Sequence, residues 1–345
     1  MKIFPGATVG ISARDKEKRQ LFLGNFGKMG TGKKYTLVSP GTIYDLASLT
    51  KPLVTTLSLL SLLSEQKISL DQGLGSCFDG VKKEKKEITI RHLLNHSSGL
   101  PDHRPYFKEL VKIKEQERKR VLVQWILAEK AEPPGKMSIY SDLGFFILGE
   151  VIEKITGKPL NVFAKEKLYK HIESLDFKLG DEKKILCAAT ERCPWRKRVL
   201  QGEVHDQNTS AVGGVSGQAG LFGDVAGVLT FCEGILGQWK EREAPKEYDV
   251  GALKEALTRQ KNSNNSTWGL GFDTPRDKDS SAGKYLSRLS AGHLGFTGTS
   301  FWIDPERDLI IVLLTNRIHP TSANNKIKEF RPLFHDTVVS SLGLI

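Results

Sequence analysis

Ser48-Leu49-Thr50-Lys51 has the residue types and the spacing for nucleophilic catalysis. At the start of a helix, positions i and i+3 share a face, so the Lys51 amine can reach the Ser48 hydroxyl, and the helix N-terminus favours negative charge developing there. A lysine whose pKa is lowered by burial or by a neighbouring cation can take the serine proton. Pro52 suits an early helical position, which puts the helix start close to Ser48. The same S-x-x-K pattern recurs at Ser64 to Lys67 and at Ser281 to Lys284. The first of these reads as a polar exit from an apolar helix, and the second lies in a Gly- and Ser-bearing loop. Only Ser48 begins a long apolar segment. An ordinary N-cap serine is the competing reading of Ser48 taken alone.

Two further groups bear chemistry. Tyr140-Ser141-Asp142 follows Pro133-Pro134-Gly135 and leads into a helix expected from Leu143. A tyrosine held above a Ser-Lys pair can relay a proton to a leaving group, and Asp142 can bind Lys51 or a substrate amide. The alternative is that Asp142 caps the helix and Tyr140 is half-buried packing. Gly292-His293-Leu294-Gly295-Phe296-Thr297-Gly298-Thr299 stands at the start of an expected strand. Its glycines allow a backbone edge to approach a substrate, and a peptide N–H there can complete an oxyanion hole with the Ser48 N–H. A Gly-rich strand entry with a polar histidine at its rim explains the same residues.

These groups need a scaffold. Ala7 to Ser12 and Gln20 to Gly24, separated by the charged run Arg14 to Arg19, predict a hairpin, and Ser48 to about Leu63 predicts a buried helix. Residues 66 to 240 are mostly helical by period, as in Phe145, Leu148, Val151, Ile152 and Ile155 ahead of the stop at Gly157. After the polar stretch Asn262 to Ser266, strands are expected at Thr267 to Phe272, Thr297 to Ile303 and Leu309 to Thr315. The turn Asp304 to Asp308 joins the last two, and Asn325 to Leu342 reads as an amphipathic helix. The expected fold is therefore α/β (α+β), an antiparallel sheet formed from N- and C-terminal segments and flanked by helices, with an inserted all-helical lobe. Residues 1–65 and 241–345 would form the sheet lobe and 66–240 the helical lobe, with the active site in the cleft between them.

Composition narrows the partners. The net charge of +11 permits attraction to polyanions, but the densest runs, Lys82 to Lys86 and Arg118 to Arg120, sit among acids and read as solvated faces. No aromatics alternate with them, so nucleic acid is not an expected partner. Cys77, Cys187, Cys193 and Cys232 form no CxxC pair or regular framework, which favours buried free thiols. Met1 to Arg14 has no long apolar core, and Leu53 to Leu63 is short and broken by Thr and Ser, so no integral membrane segment is expected. The chain as it stands reads as cytoplasmic. A chain already trimmed of a leader would look the same, and would be periplasmic or extracellular.

Taken together and in this order, the three groups resemble the β-lactamase-like serine hydrolases, which include class C β-lactamases, D,D-peptidases, D-amino-acid amidases and esterases. The resemblance extends to Leu93 to Pro101 (LLNHSSGLP), to the Pro-Gly before Tyr140, to Gly213 to Phe222 (GGVSGQAGLF) and to Trp268 to Phe272. It implies Ser48 as the acylated nucleophile, Lys51 as its proton acceptor and Tyr140 as the residue passing protons. Asp142 stands where many members carry Asn. His293-Leu294-Gly295 stands where β-lactamases carry Lys-Thr-Gly, with Leu294 and Gly295 as substrate-binding positions and the Phe296 N–H as second oxyanion donor. A histidine of ordinary pKa is mostly neutral at pH 7 and offers no fixed charge to a substrate carboxylate, while Asp142 adds negative charge. Hydrolysis of a small ester, amide or peptide is therefore expected ahead of β-lactam hydrolysis or D,D-peptidase activity, with no cofactor.

Three other readings compete. His92 and His96, at i and i+4, could share a helical face as zinc ligands, but the Glu of H-E-x-x-H is missing and no third ligand is indicated. A capping or cleft-floor role is expected instead. His205-Asp206 fits either a cleft wall or a loop hydrogen-bond pair. A non-catalytic protein that binds peptide or wall fragments would keep the cleft and form no covalent adduct.

Overall fold

The structure is a computed structural model and describes residues 3–15, 18–242, 247–261 and 266–345. Most of the stretch Asn262 to Ser266, residues 262–265, thus lies outside the described residues, as do residues 16–17 within the run Arg14 to Arg19. Five antiparallel strands form the main sheet: β1 (Gly6–Asp15), β2 (Lys18–Gly27), β3 (Ala291–Leu294), β4 (Ser300–Asp304) and β5 (Leu309–Thr315). Their order is β2-β1-β5-β4-β3, so the N-terminal hairpin joins the C-terminal meander through the β1–β5 pair. β5 reads Leu-Ile-Ile-Val-Leu-Leu-Thr and is buried throughout, as a central strand covered on both faces should be. The expected strand at Thr267 to Phe272 does not form. That segment turns tightly, with Trp268 bridging to Asp273, because Gly269 and Gly271 take the chain around a corner and Gly271 has φ +75°. His293, expected just before a strand starting at Thr297, instead lies within the separate strand β3.

The run from Ala47 to Ser64 is helical in three styles: a 3₁₀ turn Ala47–Leu49, a π-helical stretch Lys51–Thr56, and α1 (Leu57–Ser64). By length and composition it could span a membrane, but most of it is buried inside this molecule. Around it stand α2 (Ile90–Leu94), α3 (Glu115–Ala128), α4 (Asp142–Thr156), α5 (Leu160–Lys167), α6 (Val225–Trp239), α7 (Val250–Leu257) and α8 (Ile327–Ser341). α4 starts at Asp142, one residue before the expected position, with the Ser141 hydroxyl accepting the Gly144 N–H, and stops at Gly157 with φ +67°. α6, inside the 66–240 span assigned to the helical lobe, packs on β1 and β5. Gly10 permits that contact, since a Cβ there would lie 2.8 Å from Val225 Cγ2.

Two smaller expectations also resolve. All four cysteines are free, three of them buried and Cys77 half-buried. Lys85 departs from the solvated reading of its basic run: it is buried, and its ammonium donates to the Leu127 carbonyl at 2.6 Å.

Candidate active site

A constrained turn presents Ser48. Tyr44-Asp45 pairs with Phe222-Gly223, and Leu46 N–H donates to the Leu221 carbonyl, so the chain enters the helical run from a fixed direction. Ala47 then adopts φ +49°, a conformation costly for a residue with a Cβ. Asp45 holds it there: one carboxylate oxygen accepts the Ala47 N–H at 2.9 Å and the other the His205 N–H at 2.6 Å. The next residue, Ser48, lines a cleft of about 1800 Å³.

Lys51 is fully buried one turn later and uses all three of its hydrogens. It donates to Ser48 Oγ at 3.1 Å, Asp142 Oδ1 at 2.7 Å and the Gln218 carbonyl at 3.2 Å. Tyr140 stands beside the pair, its ring centroid 4.8 Å from the Lys51 ammonium. Burial works against the charge on Lys51, but the Asp142 carboxylate and Tyr140 outweigh it and hold its pKa above the ordinary value. The carboxylate beside Lys51 thus reverses the effect of burial that would favour the free amine. Burial would likewise raise the Asp142 carboxyl, but Lys51 and His103 keep it below the usual range. Asp142 therefore binds Lys51 and leaves capping to Ser141. Tyr140 is raised by burial and stays a neutral phenol, although Lys51 opposes the shift.

The opposite wall is β3 and the turn after it. His293 is buried, its Nδ1–H donates to the Leu294 carbonyl at 2.8 Å, and its Nε2 has no partner among the described residues. Burial, reinforced by Lys51, pushes its pKa down to about 3, so the ring is neutral and Nε2 is a buried acceptor. The turn is tied to the Ser48 segment by Thr297 Oγ1 on the Asp45 carbonyl (2.7 Å) and Thr299 Oγ1 on the Leu46 carbonyl (3.1 Å). Gly295 allows this approach, because a Cβ there would lie 2.0 Å from Thr299 Oγ1 and 2.8 Å from the Leu46 oxygen. The N–H groups of Ser48 and Phe296 donate to no other group among the described residues. Leu294, Gly295 and Phe296 all line the cleft.

Further residues complete the site, and Arg331 is one that sequence reasoning missed. Arg331, on α8 and buried, donates to the Gly295 and Thr299 carbonyls at 2.9 and 2.8 Å, bracing the turn from behind. Trp268 and His96 pack against Tyr140, with ring centroids 5.4 and 4.6 Å away, and His96 Nδ1 accepts the Ser141 N–H. His96 is thus buried beneath Tyr140 and Trp268, supporting residues of the cleft without lining it. His92 caps α2 through Thr89, so the two histidines serve different ends. His205 lines the cleft, its Nε2 hydrogen-bonds with Glu191 Oε2 (2.9 Å), and its ring stacks on Phe296. Asp206 caps the following helix and does not pair with it. His103, Trp268, the stretch Arg276 to Ser281 and α8 also contribute to the cleft walls. Arg331 carried no sequence signal, since one cation on an amphipathic helix looks like a surface residue.

A five-stranded antiparallel sheet with Ser48, Lys51 and Tyr140 gathered beside it is the arrangement that the family resemblance implies, and the comparisons show the family. The Beta-lactamase family profile matches residues 2–332, and the chain belongs to that family. It is 31% identical to an N-acetylmuramyl-L-alanine amidase of Bacillus subtilis (strain 168), over 81% of this chain and 68% of that protein. It is 29% identical to a putative D-alanyl-D-alanine carboxypeptidase of Escherichia coli (strain K12), over 86% of this chain and 76% of that one. The octameric penicillin-binding protein homologue of Pyrococcus abyssi shares the fold, with a TM-score of 0.74 at 19% identity, covering 99% of this chain and 74% of its own.

Proposed function

We propose that this protein is a serine hydrolase that forms an acyl-enzyme on Ser48 and cleaves a small amide, peptide or ester. The observation that carries the reading is the Lys51 ammonium 3.1 Å from Ser48 Oγ, with the Tyr140 ring 4.8 Å from the same ammonium. Acylation needs Lys51 as the free amine, which takes the Ser48 proton as Oγ attacks the substrate carbonyl. The resulting oxyanion is met by the Ser48 and Phe296 N–H groups. The proton then passes from Lys51 through the Tyr140 hydroxyl to the leaving nitrogen or oxygen, and the carbonyl–leaving group bond breaks. A water enters and gives a proton along the same path to Lys51, which hands it to Ser48 Oγ as the water oxygen displaces Ser48 from the acyl group.

His293 sets the substrate class. A neutral ring whose Nε2 is itself buried offers no positive charge to a substrate carboxylate. This favours amides and esters without a carboxylate beside the scissile bond over β-lactams and D,D-peptides. The amidase and carboxypeptidase names of the relatives support hydrolysis of an amide bond. Reaction with a fluorophosphonate probe followed by intact-mass measurement tests the reading. One adduct is expected on the wild-type protein and none on Ser48→Ala. A protein that resists the probe and leaves nitrophenyl esters, D-alanyl amides and a chromogenic cephalosporin untouched is a binding protein instead.

A further inference from the structure

The strand at one side of the sheet differs from its neighbours. β2 ends the strand order, so one row of its backbone N–H and C=O groups faces away from β1, with the Gly27 carbonyl at its end accepting the Val38 N–H at 3.0 Å. β4 and β5 are buried along their length, whereas β2 is exposed at most positions. Leu21, Phe22, Leu23 and Phe26 are 61, 54, 37 and 54% exposed. The other edge is short and shut, because Asp273 exchanges two backbone hydrogen bonds with Gly292 of β3 (2.8 and 2.9 Å). Proteins normally blunt an open edge with a proline, a bulge or charges along the strand. Lys18 to Gly27 (KRQLFLGNFG) has no proline, pairs with β1 through ten residues without a bulge, and carries charge only at one end.

We propose that β2 is the interface with a second copy of this chain, the two strands pairing antiparallel about a two-fold axis at Phe22 to make one continuous sheet. In that register Phe22 meets Phe22, Leu21 meets Leu23 in both directions, Arg19 meets Asn25 and Lys18 meets Phe26. Each pair shares a face: Leu21 and Leu23 lie opposite Ser12 and Gly10 on the α6 side, while the Phe22 and Phe26 rings fold over Gly24 on the other. Charge selects the direction. A parallel pairing would set Lys18 on Lys18 and Arg19 on Arg19, whereas the antiparallel one sends them to opposite ends, with Lys18 over an aromatic ring. A lipid surface would take the same leucines and phenylalanines but strand the outer row of backbone groups in apolar surroundings, which a partner strand satisfies.

Sedimentation velocity of the full chain over micromolar concentrations tests this independently of any activity. A dimer is expected, with Phe22→Lys and Leu23→Pro each weakening association at least about 30-fold while leaving the thermal midpoint of the monomer near wild type. The register has its own test. Phe22→Cys, opposite its own copy, should oxidise to a disulfide-linked dimer, and Gln20→Cys, which faces Gly24, should not, with the wild-type cysteines as background. A monomer at every concentration, or a dimer indifferent to both β2 substitutions, overturns the proposal. Flotation of a monomer with anionic vesicles would assign the face to lipid, and crosslinking of Gln20→Cys but not Phe22→Cys would overturn the register.

Discussion

Asp142 Oδ1 stands 2.7 Å from Lys51 Nζ, and its other oxygen lies 3.7 Å from His103 Nδ1. The carboxylate therefore holds the lysine that must act as base in its charged form. Below the raised Lys51 pKa the amine is protonated and cannot accept the Ser48 proton, so activity should rise with pH as the ammonium titrates. Asp142→Asn removes the attraction while keeping the shape. The rising limb of kcat/KM against pH should move down by about 1–3 units. A limb that stays in place would show that Lys51 is not the titrating base.

Gly295 sits where a side chain has no room, against Thr299 Oγ1 and the Leu46 carbonyl. Gly295→Ala should push the turn and its Phe296 N–H away from Ser48. Loss of one oxyanion donor lowers kcat by about 10²–10³ with little change in KM. Steady-state kinetics on a nitrophenyl ester would read this directly, and an unchanged kcat would remove Phe296 from the oxyanion hole.

Arg331 fixes the same turn through two carbonyls. Arg331→Met keeps the stem but leaves both carbonyl bonds unmade, at a cost of about 1.5–3 kcal/mol per charge-assisted bond lost. A lower thermal midpoint together with a fall in kcat is expected. If stability drops while the rate of Ser48 labelling holds, Arg331 supports the fold and not the oxyanion geometry.

His293 decides charge preference at the cleft wall. His293→Lys should raise kcat/KM for a substrate bearing a carboxylate near the scissile bond, relative to its uncharged amide, by about 10-fold, the worth of one charge-assisted hydrogen bond. Wild-type protein should prefer the amide. Equal ratios in the two proteins would show that the side chain at this position does not face the substrate.

The local features of the site were legible because their causes are local. Ser48 and Lys51 share a helix face by spacing, Gly157 stops α4, and the apolar run of β5 can only be a covered strand. The strand expected at Thr267 to Phe272 failed because two glycines there serve a tight turn. One of them must pass beside Thr56, a neighbour far away in sequence.

The order of Ser48, Tyr140 and His293 along the chain was enough to fix the type of protein and the residues to examine. What the sequence could not supply was the protonation of those residues. Lys51 is charged and His293 neutral because burial and the Asp142 carboxylate compete at single-ångström range, and that competition exists only once α4, β3 and the Ser48 helix meet. Arg331 and the open edge of β2 likewise acquire meaning only from what the fold places, or does not place, beside them.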